Sequence, residues 1–296
     1  MDTPTDHRAD SQHRRSALPR GECSPVGARR GLVDLHCHLL PGVDDGPPTL
    51  EAAIRHLAGH AAAGVETVIA TPHIRGDFLT DPGGMPEAVA GLEREAHQRG
   101  IPISIGCGGE LGHRLASALG DDQLQTIAQG PEEDRWLLFE LPFTGIDEGV
   151  IEAARDLIER GFGLLMAHPE RVEGASPGGL RGLRDDLGPR CAFQVTAASL
   201  SSDLFGLQTR RLALELLTDG LITVIASDSH GARSREKLAS THRWLVEEAG
   251  FDSLAADALT SAAPRRLLEE GLGWLGSEPE LPDQLGRPLV GAARLS

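Results

Sequence analysis

Tyrosine is absent from this 296-residue chain, and aromatic residues of all kinds make up only 3% of it: seven phenylalanines and three tryptophans. The missing tyrosines exclude regulation by phosphorylation of the chain's own tyrosyl side chains. Cysteine is sparse too. Cys23, Cys37, Cys107 and Cys191 form no C-x-x-C pair and lie too far apart for a compact disulfide scaffold, so a reducing cytoplasm is the simplest compartment. No run approaches the roughly 18–20 apolar residues that span a bilayer, which excludes helical membrane insertion. The first residues, with Asp2, Asp6, His7 and Arg8, contain no apolar core, and no secretory signal is expected. Positive charge is in deficit. Against 44 Asp and Glu stand 28 Lys and Arg, a formal charge of −16. That argues against non-specific binding to nucleic acid or anionic membranes. An anionic substrate would need local arginines or metal ions to overcome the field.

What is present suits a soluble globular protein: 40% hydrophobic and 24% charged residues. The length fits one large domain, since α/β barrels of roughly 200–250 residues form a single domain. Residues 1–30 are polar and without periodicity, and read as a disordered N-terminal extension. Residues 276–296, with Pro279, Pro282 and Pro288, read as a flexible C-terminal tail. Between them, strand-like runs alternate with helical segments over 31–275. The strand candidates are Gly31–His36, Val65–Pro72, Pro102–Gly108, Arg135–Leu141, Gly163–His168, Cys191–Thr196 and Leu221–Ser227. Runs such as Leu221-Ile222-Thr223-Val224-Ile225-Ala226 are apolar throughout, as parallel strands buried on both faces require. Pro47-Pro48-Thr49 opens a helix with Thr49 as N-cap, Pro264 initiates a terminal helix, and Gly64, Gly100, Gly161 and Gly220 stand where helices end before strands. Seven βα units imply an α/β fold with a parallel sheet closed into a barrel or nearly so.

The C-terminal strand ends carry the chemistry. His36-Cys37-His38 puts two imidazoles at i and i+2 on one face of the first strand, with Asp44 and Asp45 just after. His73 follows the second strand, Glu110 the third, Glu140 ends the fourth and His168 the fifth; Asp228 and His230 follow the seventh. Six of seven strands thus deliver His, Asp or Glu to one end, where α/β barrels place their active sites. This nitrogen-and-oxygen ligand set suits Mn, Zn or Fe and is large enough for two or three ions. Such ions would neutralise a phosphate ester, lower the pKa of a water and steady a leaving oxygen. Arg75, Arg171, Arg233 and Arg235 follow closely and could grip phosphate oxygens.

Plainer roles compete at several of these positions. One of Asp44 and Asp45 is expected to form the turn before Gly46. Glu110 could begin the helix after the third strand. Glu140, between apolar residues, must be paired or metal-bound. Glu170 is expected to pair with an arginine or cap its loop. His7, His13, His56, His60, His97, His113 and His242 lie in the tail or on helices, and read as solvated or structural. Cys23 and Arg29 have the spacing of a cysteine-dependent phosphatase loop. They lie in the tail, no strand precedes them and Pro25 interrupts the cradle, so this spacing is read as chance.

Taken together, Asp34–Gly46, Ala70-Thr71-Pro72-His73, Gly109-Glu110, Phe139-Glu140-Leu141-Pro142, Ala167-His168-Pro169-Glu170-Arg171, Gln194–Leu200 and Ser227-Asp228-Ser229-His230 resemble the bacterial tyrosine-protein phosphatases of the polymerase-and-histidinol-phosphatase superfamily, the CpsB/CapC/YwqE type. The likeness spans roughly residues 31–275. It implies a distorted (β/α)7 barrel with a Mn2+-preferring centre of two or three ions, Zn, Fe or Mg being alternatives. By position, His36, His38, Glu110 and Asp228 would hold one ion; Glu110, Glu140 and His168 a second; Asp45, His73 and His230 a third. Arg171 and Arg235 would bind phosphate, with Arg75 a further candidate. The implied reaction is direct hydrolysis of phosphotyrosine without a phosphoenzyme, on a cytoplasmic tyrosine kinase that controls capsular or exopolysaccharide synthesis and export. The rivals are hydrolysis of histidinol phosphate or another small phosphomonoester, and a barrel that binds the kinase without catalysis. The chain departs from the family in its long N-terminal extension and in the short, Pro/Gly-rich Phe78–Met85, which bear on substrate choice and on whether it forms an oligomer.

Overall fold

The strands are where continuous apolarity places them. The computed structural model describes residues 31–231 and 237–276. The expected N-terminal extension with Cys23, nearly all of the C-terminal tail, and Arg233 and Arg235 lie outside the described residues. The first strand is β1 (Leu32–Cys37), followed by β2 (Val65–Ala70) and the two-residue β3 (His73–Ile74). Then come β4 (Ser104–Cys107), β5 (Glu110–Gly112), β6 (Trp136–Glu140), β7 (Gly163–Ala167), β8 (Cys191–Thr196) and β9 (Ile222–Ala226). All pairings between these strands are parallel, in two sheets ordered β1-β2-β4 and β3-β5-β6-β7-β8-β9. The protein is therefore an α/β fold built on parallel sheets, with helices in the crossovers.

The short β3 and β5 refine the sequence expectation of seven unbroken strands. Pro72 has no N–H to give the ladder. It divides β2 from β3, and Gly108-Gly109 divides β4 from β5. Backbone hydrogen bonds bridge these breaks, from Gly108 N to Ala70 O and from Glu110 N to Pro72 O, both 3.0 Å. The glycines allow close approach: a Cβ on Gly108 would stand 2.6 Å from Ile69 Cγ2, and one on Gly109 2.7 Å from Ile74 Cγ1. At the other margin, β1 meets β9. Asp228 N donates to His36 O at 2.8 Å and His38 N to Ser229 O at 2.9 Å.

Strands β6 to β9 are buried along their whole length. Alternation sorts their residues into two cores. Leu137, Phe139, Leu164, Met166, Phe193 and Ile225 pack outward in the larger one. Trp136, Leu138, Leu165, Ala167, Ala192, Val224 and Ala226 belong to a second core with Val33 and Leu35. Fully burying one such aliphatic side chain is worth about 1.5–3 kcal/mol. Along β6, β8 and β9 the second row turns polar at or just beyond its C-terminal end: Trp136, Leu138, Glu140; Ala192, Gln194, Thr196; Val224, Ala226, Asp228. The period of two thus carries an apolar floor into a polar mouth.

Thr49 caps the helix Leu50–Ala62 as expected, its hydroxyl accepting from Ala52 N, and Gly64, Gly100, Gly161 and Gly220 all adopt positive φ. Pro264 sits in the first turn of the helix Ala263–Glu270. That helix closes the floor, where fully buried Trp136 donates Nε1–H to Leu267 O at 2.9 Å. Trp136→Phe removes this hydrogen bond, leaving Leu267 O only its bond from Gly271 N at 3.1 Å, and empties part of the space the indole fills. Stability should fall by about 1–3 kcal/mol, read as a lower urea midpoint at unchanged slope.

Candidate metal centre

Glu110 is the hub of the mouth. Its carboxylate is fully buried and faces four imidazoles carried on or just beyond three different strands. Oε1 lies 2.7 Å from His168 Nε2. Oε2 lies 2.7 Å from His73 Nδ1, 3.4 Å from His36 Nε2 and 3.5 Å from His38 Nε2. Because Glu110 occupies β5 and the following helix starts only at His113, the alternative that it merely opens a helix does not hold.

Asp228 makes the second approach, its Oδ1 3.4 Å from His36 Nε2 and 3.6 Å from His38 Nε2. Glu140 Oε1 lies 3.9 Å from His73 Nδ1. Asp45 is half-exposed, with Oδ1 3.5 Å from His73 Nε2 and 3.3 Å from His230 Nε2. His230 stacks on His38 with centroids 3.8 Å apart. The ligand atoms gather into three groups: His36, His38 and Glu110; His73, Glu110 and Glu140; and His38, Asp45, His73 and His230. All nine residues singled out for metal binding therefore converge. His73 stands with Glu110 and Glu140 where His168 is expected, while His168 holds the far oxygen of Glu110.

The donors fit cations. His36 Nε2, His38 Nε2, His73 Nδ1 and Glu110 Oε2 are buried and make no well-formed hydrogen bond, although they approach one another to 2.7–3.5 Å. Burial lowers the His36 and His38 pKa values, but the carboxylates outweigh it. Glu110 and Asp228 raise His36 to about 9; Asp228 and Asp44 raise His38 to about 10. Against the cost of burial, His36 and His168 hold Glu110 well below the ordinary carboxylate range, and His36 and His38 do the same for Asp228. Burial and the nearby Glu110 push Glu140 up. The pocket requires positive charge, which protons or divalent ions can supply.

Two non-glycine residues among those described have positive φ, His168 at 39° and Asp228 at 50°. Both belong to this cluster, and such a conformation costs about 1–3 kcal/mol each. It turns each side chain off the end of its strand into the mouth.

Several supporting residues escape the sequence pattern. Asp44 forms the turn, accepting Gly46 N at 2.9 Å, and also orients the cluster: its Oδ2 meets His38 Nδ1 at 2.5 Å and accepts His73 N at 3.1 Å. Gln194 Oε1 lies 3.0 Å from His36 Nδ1; its place on the polar end of the β8 row is the available signal. Glu170 is buried and meets no arginine among the described residues. Its Oε1 accepts Thr196 N at 3.0 Å, which fixes the end of β8. His56 and His60, grouped with solvated or structural histidines, are fully buried.

Arginines and rings border the cluster. Arg171 Nη1 donates to Asp228 Oδ2 at 2.7 Å, and its guanidinium lies 4.3 Å from the centroids of both Phe143 and Phe205. Arg75 bonds Glu140 Oε1 at 2.6 Å and stands over Phe78, whose ring stacks on His73.

Fold and site together define an α/β protein with a polynuclear-type histidine and carboxylate cluster at its C-terminal strand ends. The chain belongs to the family "Capsular polysaccharide synthesis, CpsB/CapC", whose family model matches residues 32–269. It is 29% identical to "Tyrosine-protein phosphatase YwqE" of Bacillus subtilis over 220 residues, 73% of this chain and 84% of that protein. Among solved structures it is similar to one described under "Crystal structures of YwqE from Bacillus subtilis and CpsB from Streptococcus pneumoniae, unique metal-dependent tyrosine phosphatases". The TM-score is 0.65 and identity 27%, covering 80% of this chain and 94% of that one. A lactonase from Listeria monocytogenes, at 14% identity and TM-score 0.50 over 81% of this chain and 95% of that one, shares the fold.

Asp44→Ala removes the acceptor that orients His38. Metal affinity at the mouth should weaken about 10–100-fold, measured by competition titration against a chromogenic chelator.

Proposed function

We propose that this chain is a metal-dependent protein-tyrosine phosphatase acting in capsular or exopolysaccharide synthesis. The observation that carries this reading is the Glu110-centred cluster beside an arginine held between two phenylalanine rings. His36, His38, Asp45, His73, Glu110, Glu140, His168, Asp228 and His230 would hold two or three ions, Mn2+ foremost. When bound, the ions activate water and neutralise phosphoryl charge. The nine strands, with the two breaks bridged and β1 joined to β9, are read as a distorted (β/α)7 barrel.

The protein groups have their own tasks. Asp44 and Gln194 fix the rings of His38 and His36 from behind. Asp228 orients Arg171 through Nη1, and the Arg171 side chain remains one-fifth exposed to meet phosphate oxygens. Its planar fork suits bidentate contact. Arg75, tied to Glu140, adds charge at the other rim; Arg235 is a further phosphate-binding candidate. Three of the chain's seven phenylalanines stand at this mouth: Phe78, Phe143 and Phe205. Phe143 is 44% exposed. An exposed ring beside the phosphate-binding arginine suits an aryl phosphate better than an alkyl one. The physiological partner is read as a phosphotyrosine-bearing kinase of the cytoplasm. No helix of the described residues is long and apolar enough to cross a membrane.

Two experiments test this. Turnover of p-nitrophenyl phosphate should stop on chelation, return with Mn2+, and be lost in His36→Ala and Asp228→Ala. Unchanged turnover in either variant refutes the metal mechanism, and a large preference for histidinol phosphate over phosphotyrosyl peptide refutes the substrate. Phe143→Ala should raise KM for the phosphotyrosyl peptide about 3–10-fold while altering KM for a small alkyl phosphate little. Equal changes for both substrates would remove the aromatic contact from the reading.

A further inference from the structure

Behind the mouth lies a second group of metal-ligand side chains. β1 has a register irregularity between Asp34 and Cys37, so both residues meet the helix Leu50–Ala62. That helix presents His56 and His60, one turn apart. Cys37 Sγ lies 3.5 Å from His60 Nε2 and 4.0 Å from His56 Nε2, and the two Nε2 atoms are 3.1 Å apart. Ser229, the residue between Asp228 and His230, places its hydroxyl 2.7 Å from His56 Nε2 and its carbonyl 3.6 Å from Cys37 Sγ. All four residues are fully buried.

Hydrogen bonds account poorly for these contacts. An imidazole nitrogen offers one proton or one lone pair. His56 Nε2 lies close to both Ser229 Oγ and His60 Nε2, and His60 Nε2 lies close to both His56 and the thiol. A cation at the centre lets every lone pair point inward. Tetrahedral zinc, with Zn–N about 2.0–2.1 Å and Zn–S about 2.3 Å, sets its ligands about 3.3 Å apart for N and N and about 3.6 Å for S and N. The observed separations of 3.1, 3.5 and 4.0 Å bracket those edges. Outside the group, His60 Nδ1 faces Asp34 Oδ2 at 3.9 Å, and both atoms are buried without a hydrogen bond. A carboxylate behind a ligating imidazole is the usual support of a zinc-bound histidine.

We propose that Cys37, His56 and His60, with a Ser229 oxygen as the fourth donor, form a buried structural zinc site. Binding converts the Cys37 thiol to thiolate and releases its proton to solvent, so the ion is loaded as the chain folds or opens. The ion ties β1 and the helix Leu50–Ala62 to the segment after β9. Two of its ligands, Cys37 and Ser229, alternate along the chain with His36, His38, Asp228 and His230, so the site holds together the margin where the strands that build the mouth meet.

Cobalt(II) separates the two sites. Thiolate-bound cobalt has a strong near-ultraviolet charge-transfer absorption, which the nitrogen-and-oxygen cluster of the mouth cannot produce. The full-length protein, stripped and reloaded with Co2+, should show this band. His36→Ala should keep it, Cys37→Ser should lose it, and His60→Gln should lose most of it with an unchanged far-ultraviolet circular dichroism spectrum. Elemental analysis should find one zinc fewer per chain in His60→Gln than in the parent. Cobalt uptake by the parent without the band overturns the proposal, as does a band that survives Cys37→Ser or His60→Gln. Should Cys37→Ser fail to fold, the parent spectrum and His60→Gln decide alone.

Discussion

The buried carboxylate of Glu110 is the constraint on which the mouth depends. Taking a single carboxylate out of water costs several kcal/mol unless charge is returned to it. Here the compensation comes from His36, His38, His73 and His168, at 2.7–3.5 Å. No two neighbouring strands could supply it alone, because the four rings stand on or just beyond β1, β3 and β7 around β5. Since side chains alternate with period two, a shift of one residue in any of these strands would turn its ligand away and leave the carboxylate uncompensated. Register and site chemistry are thus specified by the same residues. The left-handed backbone of His168 and Asp228 fits this picture: local strain persists where surrounding contacts over-determine the position.

Much of this architecture was legible in the residues, for physical reasons. A parallel strand buried on both faces must be apolar throughout, so Gly163–Ala167 and Ile222–Ala226 stand out, and a His or Asp just beyond such a run has only the strand end to occupy. What depends on loop torsions was less legible. Asp44 and Asp45 are identical in chemistry and adjacent in the chain, and only the turn decides that Asp44 grips His38 while Asp45 reaches His73 and His230. The division at Pro72 and at Gly108-Gly109 similarly follows from a missing N–H and missing Cβ atoms. His56 and His60 are polar residues in the inward stripe of a helix, with Ala53 and Leu57. Assigning them by residue type sends them toward solvent; assigning them by helical period sends them into the core.

β1 also shows how one short segment serves two environments. His36 and His38 face the mouth, while Cys37 and Asp34 face the helix behind it. Asp228 and His230 flank Ser229 in the same way beyond β9. The backbone hydrogen bonds that join these segments, Asp228 N to His36 O and His38 N to Ser229 O, therefore sit between the two clusters. Displacing either cluster strains the same few peptide groups. The burial of Cys37, His56 and His60 thus bears on the mouth although none of them reaches it.

The chain's net charge of −16 sets the remaining problem, since a phosphate dianion approaches a negative protein. Screening limits that field to about 8 Å at physiological ionic strength, so within the mouth the local charges decide. There Asp228 and Glu140, which contact arginines, also face imidazoles, so the positive side chains are fixed by carboxylates whose charge is already shared. Arg171 is held by one nitrogen at Asp228 and by two phenylalanine faces, an arrangement that restrains the guanidinium without using all its donors. Cations in the cluster would complete the reversal of sign. A surface that repels polyanions in general can in this way admit one phosphoryl group at one place, with three of the chain's few aromatic rings beside it.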